Sequence, residues 1–404
     1  MSNFEKHCFL FLGVFLILIQ SLTSADILNP EDYQIAMGNN SFGIEMYRQL
    51  SRDNTENIFF SPFSLYTSLS ILYEGADGST RQKIKAVLEF YDDDQMLRSG
   101  FESIMAYYNS ITSQNQLILA NALWFQQDYP VSDDFIKIIQ QYYQGEIEQL
   151  DFYNQSDQSA QQINRWIFEK TLGKIENIVG EEMIDPLTVM ILTNAIYFRG
   201  VWKYQFDPEM TDSMFFFVTS ERKVKVPMML INDEDLLFDY AENELLQALE
   251  LPYEGENLVM TILLPKQDLS EFEPEFDYEN LNEILDDLHP ENVTVYLPRF
   301  SFNSKYIIND YLSDLGLGEI FSSDSDFSRI NSRNNLFVNL ILHQALVEVN
   351  EQGTEAVAAT VVMIAANGHS YQKVFYANRP FIFMIRDRQT GCILFMGRLV
   401  DPSV

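Results

Sequence analysis

Apolar residues in the first half of the chain recur at the spacing of an amphipathic helix. In four segments they return every three or four positions, which places them on one face of a helix. The four predicted helices cover residues 41–50, 65–74, 79–90 and 156–175.

Short apolar runs, most of them in the second half of the chain, predict β-strands. The runs at 117–125 and 188–198 are apolar on both faces, as is typical of central strands. Further predicted strands cover 245–251, 258–264, 293–297, 337–349, 381–386 and 393–400. Since helices come first and strands concentrate later, the pattern favours an α+β fold. We find no linker, internal repeat or low-complexity run, so we predict a single domain.

The first 25 residues have the pattern of a secretory signal peptide. Lys6 precedes an apolar run from Cys8 to Ile19, and small residues follow at Thr23 to Ala25. The run is short of the roughly 20 residues that span a bilayer. We therefore predict a signal peptide over 1–25, a mature domain over 26–404, and a soluble protein that is secreted to the extracellular space.

The formal net charge of −33 limits the possible partners. A surface this acidic repels nucleic acid, heparin-like polyanions and anionic membranes. We expect a monomer without nucleic-acid or membrane partners and without heparin-like activation. Asn39, Asn154 and Asn292 each begin an Asn-x-Ser/Thr sequon, so they are candidate N-glycosylation sites if the secretory route is eukaryotic.

No catalytic constellation is visible in the sequence. Gly-x-Ser-x-Gly, His-Glu-x-x-His, a phosphate-binding glycine loop and a cysteine cluster are all missing. His343 lies within an apolar run and is predicted to be a hydrogen-bonded core histidine rather than a general base. Cys392 is the only thiol left after signal removal, and we predict that it is buried and structural. We expect no enzymatic activity, no metal and no cofactor.

The stretch from Val349 to His369 is unusually rich in small residues and fits two structures. Thr354 could cap a helix over 355–366 that ends at Asn367 and Gly368. The β-branched residues between them instead favour a strand. One face of that strand would carry the small or moderate side chains of Thr354, Ala356, Ala358, Thr360 and Val362. On composition alone, a buried helix or an ordinary strand is favoured.

An ordered series of short motifs resembles the serpin family across essentially the whole mature chain. The motifs are Asn57–Ser64, Ile163–Trp166, Thr171–Ile175, Leu192–Trp202, Lys225–Met229, Leu297–Phe300, Ala377–Phe381 and Leu394–Leu399. Each motif is weak alone, but their order and spacing are specific. The resemblance implies a fold of three β-sheets with about nine helices, and an exposed reactive-centre loop at about 351–374.

The resemblance also implies inhibition of a protease by a suicide-substrate mechanism. In that family a protease cleaves the loop, is trapped as an acyl-enzyme, and is displaced as the hinge of the loop inserts into the main sheet. The residues that match the hinge of inhibitory members are Glu351, Gly353, Thr354, Glu355, Ala356, Val357, Ala358, Ala359 and Thr360. Val357 departs from the usual alanine, but on the face that would point outward.

The alternative is a non-inhibitory protein of the same fold that acts as a carrier or binding protein. Such members usually have a charged or bulky hinge, whereas here no charge or proline lies on the face of the hinge that would point inward. The chain ends in Asp401-Pro-Ser-Val404 without a retention tetrapeptide, which disfavours a chaperone of the secretory pathway.

Two further groups of residues match positions that control opening of the main sheet in that family. Ser61, Ser64, Asn194 and His343 match the shutter. Trp202, Arg299 and Glu351 match the breach, where insertion begins, and Arg299 is expected to form an ion pair with Glu351. An ordinary role in core polarity is compatible with both assignments.

The family's usual loop length, counted from Glu351, places the bait bond between Asn367 and Gly368. The run Ala365-Ala366-Asn367 resembles a substrate of asparaginyl, legumain-like cysteine endopeptidases. Cleavage after Ala365 or Ala366 would instead suit an elastase- or subtilisin-like serine protease, and cleavage at Met363 a broader enzyme. Asn367 and Gly368 also form a common turn pair. The expected partner is an endopeptidase, of the serine class by family or of the asparagine-specific or papain-like cysteine class by this run.

Overall fold

The computed structural model describes residues 29–52, 54–110, 115–332, 336–354 and 373–404. Within these ranges it contains nine α-helices. They are Pro30–Arg52 (α1), Pro62–Gly75 (α2), Gly78–Val87 (α3), Asp94–Ser110 (α4), Asp133–Ile138 (α5), Ser156–Lys170 (α6), Leu269–Phe272 (α7), Tyr278–Asp286 (α8) and Asn309–Leu312 (α9). None of the helices in these ranges is both long and apolar enough to cross a bilayer.

Seventeen strands form three sheets in the described residues. The main sheet has the order Phe300–Ile307 (β12), Leu340–Asn350 (β13), Gly353–Thr354 (β14), Met190–Val201 (β4), Gln116–Gln126 (β2) and Glu146–Leu150 (β3). A seven-stranded sheet has the order Ile58–Phe60 (β1), Ile393–Leu399 (β17), Phe381–Asp387 (β16), Leu258–Pro265 (β9), Leu246–Pro252 (β8), Phe238–Glu242 (β7) and His289–Glu291 (β10). A four-stranded sheet has the order Lys373–Tyr376 (β15), Val293–Pro298 (β11), Lys223–Ile231 (β6) and Asp212–Phe217 (β5).

The architecture confirms the α+β prediction and the three sheets. Each of the eight predicted strands is present, with ends that differ by at most three residues. The pattern overlooked α4, α5, α7, α8 and α9, and it overlooked strands that are exposed on one face, such as β5 and β12.

Two predicted helix boundaries were wrong. Helix α1 begins at Pro30 rather than at residue 41, although Gly38, Asn39 and Asn40 read as a turn. The Asn39 and Asn40 amide nitrogens instead donate to the carbonyls of Ile393 and Gly391, at 3.0 and 2.9 Å, which ties α1 to the core near β17. Helix α6 ends at Lys170 rather than at residue 175, because Leu172 and Gly173 adopt left-handed backbone conformations.

The central strands of the main sheet, β2, β4 and β13, are buried on both faces for most of their length. On one face the sheet packs against the large core that contains α1, α2 and the seven-stranded sheet. On the other, Ile163 and Ile167 of α6 pack with Trp124, Ile191 and Leu342 in a smaller core. Burial on both faces explains why β2, β4 and β13 read as nearly continuous apolar runs. Beside the opening, however, Leu346, Glu348 and Asn350 of β13 are half-exposed, so a strand added there would have one face in the core and one face partly exposed.

Candidate functional site

The strands β13 and β4 of the main sheet are joined along one part of their length and separated along the rest. Leu340 to Ala345 pair directly with Ile191 to Ile196, in parallel. Beyond this stretch the strand β14 lies between them and is antiparallel to both. Thr354 pairs with Val349 on one side and with Gly200 on the other. The separated part is an opening in the sheet, already occupied at its end by the first two residues of a third strand.

Gly353 enters this opening where the neighbouring backbone is very close. A Cβ atom at this position would lie 1.9 Å from the carbonyl oxygen of Gly200, a distance that no side chain can occupy. The glycine therefore permits the backbone contact that starts β14.

Thr354 is 1% exposed and points into the core. Its hydroxyl lies 2.7 Å from the hydroxyl of Tyr253, and the Tyr253 ring stacks on Trp202 with a centroid distance of 4.5 Å. The hinge is thus held at its first inserted side chain by a buried hydrogen bond, and Tyr253 connects that bond to Trp202.

Trp202 also holds the turn at 350–352, where the hinge begins. Its indole Nε1 donates to the carbonyl of Asn350 at 2.9 Å, and its backbone N–H donates to the carbonyl of Gln352 at 2.9 Å. The Phe206 N–H donates to the carbonyl of Glu351 at 2.9 Å. These three bonds satisfy successive carbonyls of the turn, so the turn is fixed relative to β4.

The predicted ion pair between Arg299 and Glu351 is present at the same end of the sheet. The Thr211 hydroxyl also donates to Glu351 Oε1 at 2.7 Å. Burial would by itself raise the pKa of Glu351, but the hydrogen bonds from Arg299 and Thr211 outweigh it and hold this pKa below its ordinary value. The turn before the hinge therefore carries an ionised carboxylate at neutral pH.

The four residues that match the shutter lie together where β13 and β4 are joined. His343 and Asn194 are direct cross-strand neighbours, and His343 Nδ1 is hydrogen-bonded to Asn194 Oδ1. His343 Nε2 accepts from the Ser61 N–H at 3.0 Å, which leaves Nδ1 as the donor to Asn194. The Asn194 amide donates to the Ser64 carbonyl at 2.7 Å.

His343 is completely buried, as predicted for a core histidine. Burial lowers its pKa to about 3, against a smaller opposing effect of the bond to Asn194. The ring is therefore neutral at physiological pH, and its neutral form suits one accepting and one donating nitrogen.

Sequence reasoning overlooked several members of these two groups. Asn121 accepts from the Asn194 amide at 2.6 Å and from the Ser64 hydroxyl at 3.2 Å, and Ser68 accepts from the same amide at 2.8 Å. Asn121 is a single polar residue in the middle of the apolar run of β2, and Ser68 follows Ser64 by one helical turn. Both patterns could have indicated the cluster. No comparable pattern marks Tyr253 or Thr211.

Several predicted residues lie outside the described residues. They are Glu355, Ala356, Val357, Ala358, Ala359 and Thr360 of the hinge, Ala365, Ala366, Asn367 and Gly368 at the bait bond, and the signal peptide at 1–25. Their roles stay predictions.

The three sequons differ sharply in their surroundings. Asn39 is completely buried, and its amide nitrogen donates to core acceptors, so a glycan there is incompatible with this packing. This contradicts its choice as a candidate. The Asn292 amide donates to the carbonyls of Asp233 and Leu236, at 3.0 and 2.9 Å. Asn154 is exposed, and its amide nitrogen donates to the carboxylate of the nearby Asp151, so it is the best placed of the three.

Cys392 is buried and unpaired, as predicted, and burial raises the pKa of its thiol. Across the described ranges, no group of three or more His, Cys, Asp or Glu side chains could hold a metal ion.

A three-sheet α+β fold with a partly opened main sheet defines the structural class. The family model for "Serpin (serine protease inhibitor)" matches residues 37–402, and the chain therefore belongs to the serpin family. Members of this family are usually protease inhibitors rather than enzymes, and some are non-inhibitory carriers.

Relatives from distant organisms cover nearly the whole chain. An uncharacterized serpin-like protein of Methanosarcina acetivorans is 38% identical over 393 residues, which are 95% of this chain and 91% of the relative. Serpin B8 of Homo sapiens is 37% identical over 370 residues, which are 90% of this chain and 98% of the relative.

Solved structures show the same fold. Serpin48 of the insect Tenebrio molitor, described as a highly specific serpin, gives a TM-score of 0.84 at 29% identity, covering 92% of this chain and 99% of that structure. Human thyroxine-binding globulin in complex with its hormone gives 0.83 at 27% identity, covering 93% and 100%. A serpin described as highly specific and a hormone-binding globulin thus share this architecture.

Proposed function

We propose that this protein inhibits an endopeptidase by acting as a suicide substrate. The protease nucleophile attacks the carbonyl carbon of the bait bond, the new N-terminal amine leaves, and the remaining acyl-enzyme stays attached to the loop. The hinge then inserts between β13 and β4 and carries the protease away before water can release it.

The observation that carries this proposal is the partial insertion of Gly353 and Thr354. They are paired with both neighbours in the antiparallel sense, so a longer inserted strand would only continue the existing ladder. Along the joined part, each residue of β13 and β4 would exchange a parallel partner for an antiparallel one, which is the slightly more stable arrangement.

The ladder also fixes which residues would meet. Counting onward from the pairs of Thr354 with Val349 and Gly200 places Thr360 between His343 and Asn194. Insertion would therefore break the His343–Asn194 bond and offer a threonine hydroxyl in its place. About ten inserted residues, at a net ~1 kcal/mol for each new backbone hydrogen bond, would release on the order of 10 kcal/mol. The native fold must then be held kinetically.

The small inward face of the hinge supports the same conclusion. Thr354 is the one inserted side chain in the described residues that points into the core, and it fits there with its hydroxyl bonded. By period two, Ala356, Ala358 and Thr360 would follow on that face. None of them is larger than threonine and none is charged.

For the target, we propose cleavage between Asn367 and Gly368, with Ala365 and Ala366 as alternatives. The support is the loop length and the run Ala365-Ala366-Asn367, which suits an asparagine-specific cysteine endopeptidase. Cleavage after an alanine would suit an elastase- or subtilisin-like serine protease.

The test is to incubate the protein with a panel of these proteases and to look for an adduct that survives SDS. Mass spectrometry of the released C-terminal peptide identifies the bait bond. Asn367→Gln should abolish the adduct with an asparagine-specific protease and leave an adduct formed after Ala366 intact. If every active protease merely nicks the loop, inhibition is wrong.

A non-inhibitory carrier is the second candidate, favoured by the structural similarity to thyroxine-binding globulin. An inhibitor and a carrier are expected to differ in thermal stability after the loop is cleaved. An inhibitor gains the inserted strand, so its midpoint of thermal unfolding rises strongly, whereas a carrier that does not insert its loop shows little change.

We also propose that the protein is secreted, on the support of the pattern in residues 1–25. Expression of the full chain in a eukaryotic cell should release into the medium a protein that begins near Asp26. A product that stays with the cells and still begins at residue 1 would contradict the proposed secretion.

A further inference from the structure

A surface cavity of about 1070 Å³ lies away from the opening in the main sheet. Its wall is formed by the end of α1, the start of α7 and the turn between β5 and β6. Residues next to β16 and β17 complete it. No hinge, shutter or breach residue lines this cavity. Its volume is at the upper end of the range for pockets that bind small organic molecules.

Positive charge is concentrated on this wall, in a chain whose formal net charge is −33. The arginines that line the cavity are Arg48, Arg52, Arg222, Arg379 and Arg398. The carboxylates that line it are Glu45, Asp268 and Glu273. With the neighbouring carboxylates Asp314 and Asp401 counted, the charges around the cavity balance, so this region lacks the excess negative charge of the protein as a whole.

Four of the five guanidinium groups are each matched by a carboxylate. The pairs are Arg48 with Glu45 at 3.0 Å, Arg52 with Asp314 at 2.7 Å, Arg222 with Asp401 at 2.5 Å, and Arg398 with Glu273 at 2.8 Å. Arg398 also donates to the carbonyls of Asn54 and Glu56, so its guanidinium joins β17 to the segment that follows α1. These four arginines have structural partners.

Arg379 is the exception. It is half-buried, its Nε donates to the carbonyl of Pro265 at 2.8 Å, and no carboxylate among the described residues lies within 4.0 Å of it. Burial without such a partner lowers its pKa. A half-buried cation without a counter-ion is costly, and the free edge of a guanidinium presents two parallel donors that fit a carboxylate.

The rest of the wall is largely apolar. Phe217, Val218, Leu269, Pro274, Pro380 and Val400 contribute the apolar side chains. Pro380 is adjacent to Arg379 in the chain, so the apolar wall and the unmatched cation meet. A ligand that satisfies both must combine one negative charge with an apolar body.

We propose that this cavity binds a small amphipathic carboxylate, whose carboxylate group pairs with Arg379 and whose apolar body lies against Val218, Leu269 and Pro380. Arg379 is the one lining arginine without a carboxylate partner among the described residues, and Asp268 in the same lining would repel a second negative charge, which favours a monoanion over a polyanion. This site is independent of the proposed inhibitory mechanism.

The test measures binding of decanoate to the full-length protein by isothermal titration calorimetry. Decan-1-ol has the same apolar chain without the charge, and inorganic phosphate has the charge without the chain. We expect decanoate to bind at least about tenfold more tightly than either, the ratio that one charge-assisted hydrogen bond gives. Equal affinity for decanol, equal affinity for phosphate, or no heat with millimolar decanoate would overturn the proposal.

Variants then locate the site. Arg379→Gln should weaken decanoate binding about tenfold or more. Arg165→Gln removes the same charge from an exposed position on α6 and should leave the affinity unchanged. Ser270→Trp adds bulk to the wall at an exposed position, so it should weaken binding even if the Arg379 variant does not fold. Unchanged affinity in the folded wall variants would place binding elsewhere and contradict the proposal.

Discussion

His343 on β13 and Asn194 on β4 are direct cross-strand neighbours, and their side chains are hydrogen-bonded where the main sheet is still joined. The ladder begun by Thr354 would place Thr360 at this level. The same bond therefore closes the sheet in the observed state and must break in the inserted state. Its strength is set by the protonation of one buried histidine.

Acid should weaken this closure. The pKa of His343 is lowered to about 3 in the folded protein, against an ordinary value of 6.5. Between these values the unfolded or opened chain binds a proton that the closed sheet excludes, so stability falls as the pH falls. The expected loss is roughly 1.4 kcal/mol for each pH unit below about 6.

The measurement is the free energy of unfolding in urea at a series of pH values from 7.5 to 5, approximately the range in which an unperturbed histidine titrates. His343→Gln, which does not titrate, is the control for all other groups. We expect the native protein to lose more stability than the variant over this range. Parallel pH profiles would show that His343 does not carry the effect.

A charge at Thr354 should convert the inhibitor into a substrate. Thr354 is 1% exposed, so Thr354→Arg would have to bury a guanidinium in the core and should keep the hinge out of the sheet. With a protease that forms an adduct, we expect the adduct to give way to cleaved, released protein. Thr354→Ser keeps the hydroxyl and should retain most of the adduct. An unchanged yield of the adduct with Thr354→Arg would contradict the insertion mechanism.

Loss of the Tyr253 hydroxyl should loosen the start of the inserted strand. Tyr253→Phe removes the 2.7 Å bond to Thr354 but keeps the ring that stacks on Trp202. A buried hydrogen bond contributes about 1 kcal/mol, so the amides of Gly353 and Thr354 should exchange with solvent about fivefold faster. Tyr240→Phe removes another largely buried tyrosine hydroxyl, on β7, and should not alter exchange at these amides. Equal exchange in all three proteins would rule out this bond as the anchor.

Glycosylation should follow exposure rather than the sequon alone. Expressed through a eukaryotic secretory route, the protein should carry a glycan at Asn154, which is exposed, and none at Asn39, which is completely buried. Intact mass spectrometry before and after Asn154→Gln checks the first expectation, and peptide mapping checks the second. A glycan on Asn39 in the folded protein would contradict the packing of α1 against β17.

Much of this protein could be predicted from local sequence because its strands are buried on both faces. Apolar residues fill most of the length of the runs that form β2, β4, β9, β13, β16 and β17. In a protein with a large core, a run of this kind has few alternatives to a buried strand. Polar residues within these runs, such as His343 and Asn194, could be recognised as candidates because they contrast with the apolar residues around them. Strands with one exposed face, such as β5, have mixed composition and were overlooked.

The sequence by itself determined the buried strands of the core and the family, because each depends on residue type and local spacing. Only the tertiary structure decided that Thr354 is already inserted, that Tyr253 holds it, and that Arg379 lies unmatched in a cavity. These depend on contacts between residues far apart in the chain, such as Tyr253 with Thr354 and Arg379 with Pro265. Pairings of this kind leave no periodicity in either segment. They arise only when the packed sheets bring the two segments together.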